Sequence, residues 1–268
     1  MVLKSPGDIL ISFNGFNIYY YGIIMAVACL VGVIVAYKLL KKIHPEEKCA
    51  YIWDFAAYLL LVGIVGARLY YCCLNPAKYF SHPLEIFNIR EGGLSIHGAL
   101  LMGVLALVGF SKMYKINSFK LLDVFACGTI LAQSIGRWGN FFNSEAFGIP
   151  TNLPWKLYIP LAQRPDALAS YKYFHPTFLY ESILDLLVFF VLYMFLKFFG
   201  VKKPGLVFFL YLILYSVVRI FIENLRTDSV LNVSGVHIAQ IISLILLIIG
   251  VFGIIFVIKF AKVKDNNF

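Results

Sequence analysis

Charged side chains are scarce in this sequence of 268 residues: Asp, Glu, Lys and Arg make up 14%, against 61% hydrophobic residues and a mean hydropathy of +0.83. A chain so poor in charge does not read as a water-soluble domain, and several apolar runs reach the length that crosses a bilayer. The five cysteines (Cys29, Cys49, Cys72, Cys73 and Cys127) have no metal-ligand spacing and mostly apolar neighbours, so they read as small hydrophobes. Acidic residues number 14 against 23 Lys and Arg, a net charge of +9 that suits an anionic membrane surface. With no RNA- or DNA-binding module in sight, nucleic acid is not an expected partner. A Gly-x-Ser-x-Gly elbow and a His-Glu-x-x-His pair are both missing, which weighs against the hydrolases that use them. So are inverted repeats and broken midplane helices, which transporters often show. No heptad, low-complexity tract or soluble domain interrupts the chain, so one membrane domain spanning 1–268 is expected. The opening segment lacks a basic stretch, and its apolar run is too long for a cleavable signal, so the first helix is expected to stay.

What is present is a series of apolar stretches, at 18–37, 53–73, 94–110, 121–136, 176–196, 205–223 and 236–258. They predict an all-α integral membrane protein, a bundle of about seven transmembrane helices, the fourth of them short. Lysines follow the odd-numbered spans: Lys38, Lys41, Lys42 and Lys48, then Lys112, Lys115 and Lys120, then Lys197, Lys202 and Lys203, and last Lys259, Lys262 and Lys264. By the positive-inside rule these ends are cytoplasmic, the N-terminus is outside and the C-terminus is cytoplasmic. The six arginines (Arg68, Arg90, Arg137, Arg164, Arg219 and Arg226) avoid those segments and fall towards the outer side. Arginine recognises anions with a planar, bidentate fork, so this separation suggests an anionic ligand at the outer face, with Arg164 an ordinary surface residue.

The stretch that organises the rest runs Gly136-Arg137-Trp138-Gly139-Asn140-Phe141-Phe142-Asn143-Ser144-Glu145-Ala146-Phe147-Gly148 and opens an outer segment at about 137–175. It places an arginine, asparagines and a glutamate where hydrocarbon penalises them, which points to a site. The bland alternative is a re-entrant turn in which Arg137 and Glu145 neutralise each other. Tyr19, Tyr20 and Tyr21 form an interfacial belt, from which Tyr21 can also reach a site. Arg68, beside Gly63 and Gly66, is read equally as site or scaffold. His97, flanked by Gly92, Gly93 and Gly98, either exchanges a proton or caps a helix. Asp123 is expected to serve the N-terminus of its own span. Glu181 and Asp185 share a helical face four residues apart, and pairing with the arginines is the economical way to keep them there. Tyr211, Tyr215, Arg219 and Glu223 recur every four residues, with Arg226 three further on; two arginines against one glutamate leave positive charge for an anion. His237, Gln240 and Ser243 suit hydrogen bonds between helices.

Together these segments resemble the prolipoprotein diacylglyceryl transferase family. The likeness covers nearly the whole chain: the 136–148 stretch looks like the family signature, beside Gly93-Leu94-Ser95-Ile96-His97-Gly98, His175-Pro176-Thr177 with Leu179-Tyr180-Glu181, and Arg219, Glu223 and Arg226. Ala99 stands where a second glycine is frequent, and Phe178 where glutamine is common. The resemblance implies a multi-pass enzyme of the bacterial plasma (inner) membrane with its site towards the outer face. It implies transfer of a diacylglyceryl group from phosphatidylglycerol to the lipobox cysteine of a preprolipoprotein, with release of glycerol phosphate, the first step of lipoprotein maturation. It carries phosphate stabilisation to Arg137 and Arg219, pocket-shaping roles to Asn140, Glu145, Gly148, Glu223 and Arg226, and a lipid contact to Tyr21. His97 is the candidate base, with headgroup positioning, or a substrate carboxylate or water as base, left open. No cofactor or metal is called for, since arginine alone neutralises phosphate. A flippase or transporter for an anionic lipid is the alternative of another class.

Overall fold

The computed structural model describes residues 2–13, 16–45, 50–88, 93, 95–227, 232–233 and 236–260. Its α-helices are α1 (Tyr20–Ile43), α2 (Tyr51–Leu74), α3 (Pro76–Ser81), α4 (Ile96–Tyr114), α5 (Ser118–Asn143), α6 (Thr177–Phe199), α7 (Leu206–Glu223) and α8 (Ile238–Phe260). Among the described residues six of them, α1, α2, α5, α6, α7 and α8, are long and apolar enough to cross a membrane. The expected third span corresponds to α4, a helix of 19 residues whose stretch of described apolar side chains runs over Leu101–Tyr114. Polarity is inverted relative to a soluble protein: Leu61 is 65% and Phe252 68% exposed, while Glu181 and Asp185 are at 1% and 0%. Apolar side chains outward and carboxylates inward are the arrangement hydrocarbon selects.

The chain divides into two units. Pro45–Leu121 holds α2, α3 and α4; Met1–His44 with Leu122–Phe268 holds α1, most of α5, and α6 to α8. In the first, Phe55 packs on Phe110 with ring centroids 4.8 Å apart, joining α2 to α4. In the second, α5 and α6 are tied by Ser134, whose hydroxyl donates to the Ser182 carbonyl at 2.7 Å, and by Ser182, which returns the bond to the Ser134 carbonyl at 2.8 Å.

Two differences from the sequence reading concern α5. The expected fourth span, 121–136, is instead the longest helix, 26 residues, and runs on through Arg137 and Asn140 to Asn143. Glycine within a helix costs only about 1 kcal/mol, so Gly136 and Gly139 do not break it. Asp123 does not serve its own helix: its carboxylate accepts from the backbone N–H of Gly205 at 2.7 Å and of Phe208 at 2.8 Å, capping α7.

The chain is also not purely helical. Short strands lie outside the long helices: β1 (Leu3–Lys4), β2 (Ile9–Phe13), β3 (Phe16–Tyr19), β4 (Leu157–Tyr158), β5 (Tyr173–Phe174), β6 (Asn232–Val233) and β7 (Val236–His237). β4 pairs parallel with β1 and antiparallel with β5, β2 with β3, and β6 with β7. Phe147, Leu157, Ile159, Phe174 and Phe178 form a small buried core that clamps the segment between α5 and α6.

Candidate active site

Charged side chains from α5, α6, α7 and β7 meet in a chain of alternating sign. Arg137 Nη2 lies 2.5 Å from Glu181 Oε1, and Arg219 Nη1 lies 3.1 Å from the same oxygen. Arg219 Nη2 then lies 2.9 Å from Glu223 Oε2, one helical turn along α7, and Glu223 Oε1 is 3.3 Å from His237 Nδ1. The two carboxylates are sealed, Glu181 at 1% and Glu223 at 2%, while the Arg137 and Arg219 side chains keep 19% and 15% exposure. The two guanidiniums are therefore the accessible members of this chain. Removing one member of such a buried pair strands its partner and costs about 3–5 kcal/mol. The re-entrant turn closed by Arg137 and Glu145 is not what forms, since Arg137 is paired with Glu181.

Glu145 serves the other end of the signature. Its Oε1 accepts from Asn140 Nδ2 at 2.8 Å and from Asn143 Nδ2 at 3.3 Å, and its N–H donates to the Asn140 carbonyl at 3.0 Å. These bonds fold residues 144–146 back against the end of α5, with Ser144 at φ 53° and Ala146 at φ 54°. Left-handed non-glycine residues are uncommon and cost of order 1–2 kcal/mol each, so the surrounding bonds must hold them. One such bond is the Thr177 hydroxyl to the Ala146 carbonyl, at 2.5 Å.

Gly148 closes the loop. Its N–H donates to the His175 carbonyl at 2.9 Å, it pairs as an isolated bridge with Arg226, and Thr227 Oγ1 donates to its carbonyl at 3.2 Å. A Cβ there would stand 2.8 Å from the Leu225 carbonyl oxygen and 2.9 Å from both His175 Cβ and Thr177 Cγ2, so glycine is required by space. The entrance to α6 and the exit of α7 are thus stitched to the signature, which sets Glu181 and Arg219 in register. Beside His175, the Tyr180 hydroxyl lies 3.1 Å from Nδ1 and accepts from Trp155 Nε1 at 2.9 Å; burial holds the imidazole below its usual range.

Tyr21 sits at the second position of α1 with its ring over Gly139, where a Cβ would be 2.7 Å from the ring. With Asp8, Asn143, Glu145 and Gln163 it lines a hollow of about 510 Å³. A second hollow, an apolar groove of about 470 Å³, runs between α1, α5 and α6, with Val27, Leu131, Ile135, Trp138 and Leu186 along it. The unit thus brings Tyr21, Arg137, Asn140, Glu145, Gly148, Arg219, Glu223 and Arg226 into one connected structure.

His97 belongs to the other unit, at the second position of α4, and its side chain lies outside the described residues, as does Arg90. Arg68 is scaffold: its guanidinium donates to the carbonyls of Glu85 (2.6 Å), Ile86 (2.9 Å), Asn88 (3.0 Å) and Gly93 (3.1 Å). The adjacent Ala67 carbonyl accepts from the Ser95 N–H at 3.0 Å, so this turn of α2 fixes the start of the helix that carries His97. Arg164 likewise donates to the Ile159 and Ala169 carbonyls. Sequence reasoning did not reach the Arg68 cage, the Asp123 cap or the Thr177 and Thr227 ties, because each joins backbone groups distant in sequence and leaves no local pattern.

Fold and site define a multi-pass helical membrane protein built around a buried arginine–carboxylate chain, an arrangement suited to handling an anion at a protein–lipid boundary. Residues 8–256 match the model of the prolipoprotein diacylglyceryl transferase family, and the chain belongs to that family. It is similar to the phosphatidylglycerol–prolipoprotein diacylglyceryl transferase of Synechocystis sp., 44% identical over 97% of this chain and 92% of that protein. The proteins of the same name from Trichormus variabilis and Acaryochloris marina are each 44% identical over 94% of this chain, covering 90% and 91% of their own lengths.

Proposed function

We propose that this chain moves a diacylglyceryl group from phosphatidylglycerol to the thiol of a lipobox cysteine in a preprolipoprotein, forming a thioether and releasing glycerol phosphate. The observation that carries the reading is the convergence of Arg137 and Arg219 on a single carboxylate oxygen, since two guanidiniums held that close suit one phosphate. The sulfur attacks a glyceryl carbon, the bond from that carbon to the phosphate oxygen breaks, and the phosphate gains a charge. Preorganised cations aimed at that oxygen stabilise the transition state more than the ground state. Arg137 and Arg219 take this role, with Asn140, Glu145, Gly148, Glu223 and Arg226 shaping the pocket around them and Tyr21 contacting the lipid. The groove beside Trp138 supports an acyl chain lying next to Arg137. His97 either takes the thiol proton or holds the headgroup while another group takes that proton.

In this reading α4 supplies a seventh span, the lysine-rich ends are cytoplasmic, the N-terminus is outside, and the site faces the outer side of the bacterial plasma membrane. The test uses purified full-length protein in phosphatidylglycerol micelles with a lipobox peptide, following glycerol phosphate and peptide mass. A diacylglyceryl mass gain with matching phosphate release is expected. An unmodified thiol with no phosphate released overturns the reading, and lipid crossing without chemistry would replace it with a flippase.

A further inference from the structure

Glu181 is sealed against Arg137 and Arg219, and four residues further along α6 Asp185 is fully buried with neither carboxylate oxygen hydrogen-bonded among the described residues. A bundle that keeps a carboxylate there without a hydrogen-bond partner carries a cost that packing does not explain. Groups facing the pair come from both neighbouring helices. Arg137 of α5 and Arg219 and Tyr215 of α7 interact with both carboxylates, Tyr211 of α7 interacts with Asp185, and Glu223 and His237 lie beyond Arg219.

Resting on the transferase reading, we propose that Glu181 accepts the thiol proton, with Asp185 as a second buried proton site one turn inward, so that charge passes from Glu181 to the leaving phosphate between the same two guanidiniums. The charges balance at each stage. Before transfer, one negative charge on the phosphodiester and one on Glu181 face the two positive charges of Arg137 and Arg219, while Glu223 keeps its own charge against Arg219 throughout. The S–H proton moves to Glu181, the sulfur pair forms the S–C bond, and the C–O bond electrons leave with the phosphate. The phosphate now holds two negative charges and Glu181 none, still against two positive ones. No charge is created or stranded within the arginine pair, which in a low-dielectric site is where the barrier would otherwise lie. The proton then leaves with glycerol phosphate, directly or by way of an ionised Asp185, and the Glu181 carboxylate is restored.

The test measures kcat, KM for phosphatidylglycerol and the pH–rate profile of the full-length wild type and Glu181→Gln, Glu181→Asp and Asp185→Asn in the micelle assay. Loss of a general base lowers kcat about 100-fold or more. Glu181→Gln is expected to show that loss with a KM no higher than wild type, because a competitor for the arginines has been removed. Glu181→Asp recovers part of kcat by restoring an acceptor. Asp185→Asn keeps KM and moves the acid limb of the profile. A merely structural Glu181 predicts the opposite split: raised KM, an unmoved profile and no rescue by aspartate. That result, or a Glu181→Gln kcat within a few-fold of wild type, overturns the assignment, and an unmoved Asp185→Asn profile removes Asp185 from it. In both cases wild-type turnover leaves the transferase reading standing, whereas a wild type without turnover overturns that reading and this inference together.

Discussion

Arg137 and Arg219 share one oxygen of Glu181, at 2.5 Å and 3.1 Å, although 82 residues separate them in sequence (219 − 137). A single carboxylate oxygen therefore lies between the two cations, and the geometry of their forks matters as much as their charge. Arg137→Lys and Arg219→Lys keep the charge and lose the planar fork. Each is expected to lower kcat/KM about 100-fold in the micelle assay while the protein still folds. Activity within a few-fold of wild type in either variant would show that a point charge is sufficient.

Gly148→Ala drives a Cβ to 2.8 Å from a backbone carbonyl that cannot rotate away. Overpacking of this kind costs about 1–3 kcal/mol. Both the melting temperature and the activity should fall, because the same contact holds α6 against the exit of α7. An unchanged melting temperature would mean that the loop yields at no cost.

Asp123→Ala leaves the Gly205 and Phe208 N–H groups without their acceptor. Loss of a cap costs about 0.5–2 kcal/mol. Thermal inactivation should come earlier, while KM for phosphatidylglycerol stays at the wild-type value, since Asp123 belongs to the opposite end of α5 from Arg137. A raised KM would place Asp123 in the substrate's path.

His175 gives a pH dependence. With its folded value held below the usual range, the unfolded chain binds more protons between that value and about 6.5. Stability is complete above about pH 6.5 and is lost as pH falls through that window. The melting temperature at pH 5.5 should lie below that at pH 7.5, and His175→Gln should shrink the difference. An undiminished difference would assign the effect to another group.

Much of the helical frame is legible in the apolar runs: 205–223 and 176–196 were expected where α7 (Leu206–Glu223) and α6 (Thr177–Phe199) stand. Length and hydropathy speak for each helix alone, which is why they are readable. The end of α5 was not, because Gly136, Arg137, Gly139 and Asn140 read as an interruption when judged against hydrocarbon. Their helical state is stabilised by partners on α6 and by Glu145, and such partners are not local. The i, i+4 spacing made Arg219 and Glu223 legible as a pair, and the short interval made Glu181 and Asp185 legible as one face. That Glu181 would bridge two arginines, or that Asp123 would cap a helix more than 80 residues away, is set by tertiary contacts alone.

The order in which the alternating chain is synthesised has its own consequence. Arg137 emerges first, Glu181 second and Arg219 third, so α6 must be accommodated before the second cation for its carboxylate exists. Until α7 follows, the two carboxylates of α6, Glu181 and Asp185, have only Arg137 between them, and an incompletely neutralised pair resists hydrocarbon. Membrane insertion of α5, α6 and α7 is thereby coupled, and a nascent chain arrested at Phe199 would have its frame of helices begun but its central charge unmatched.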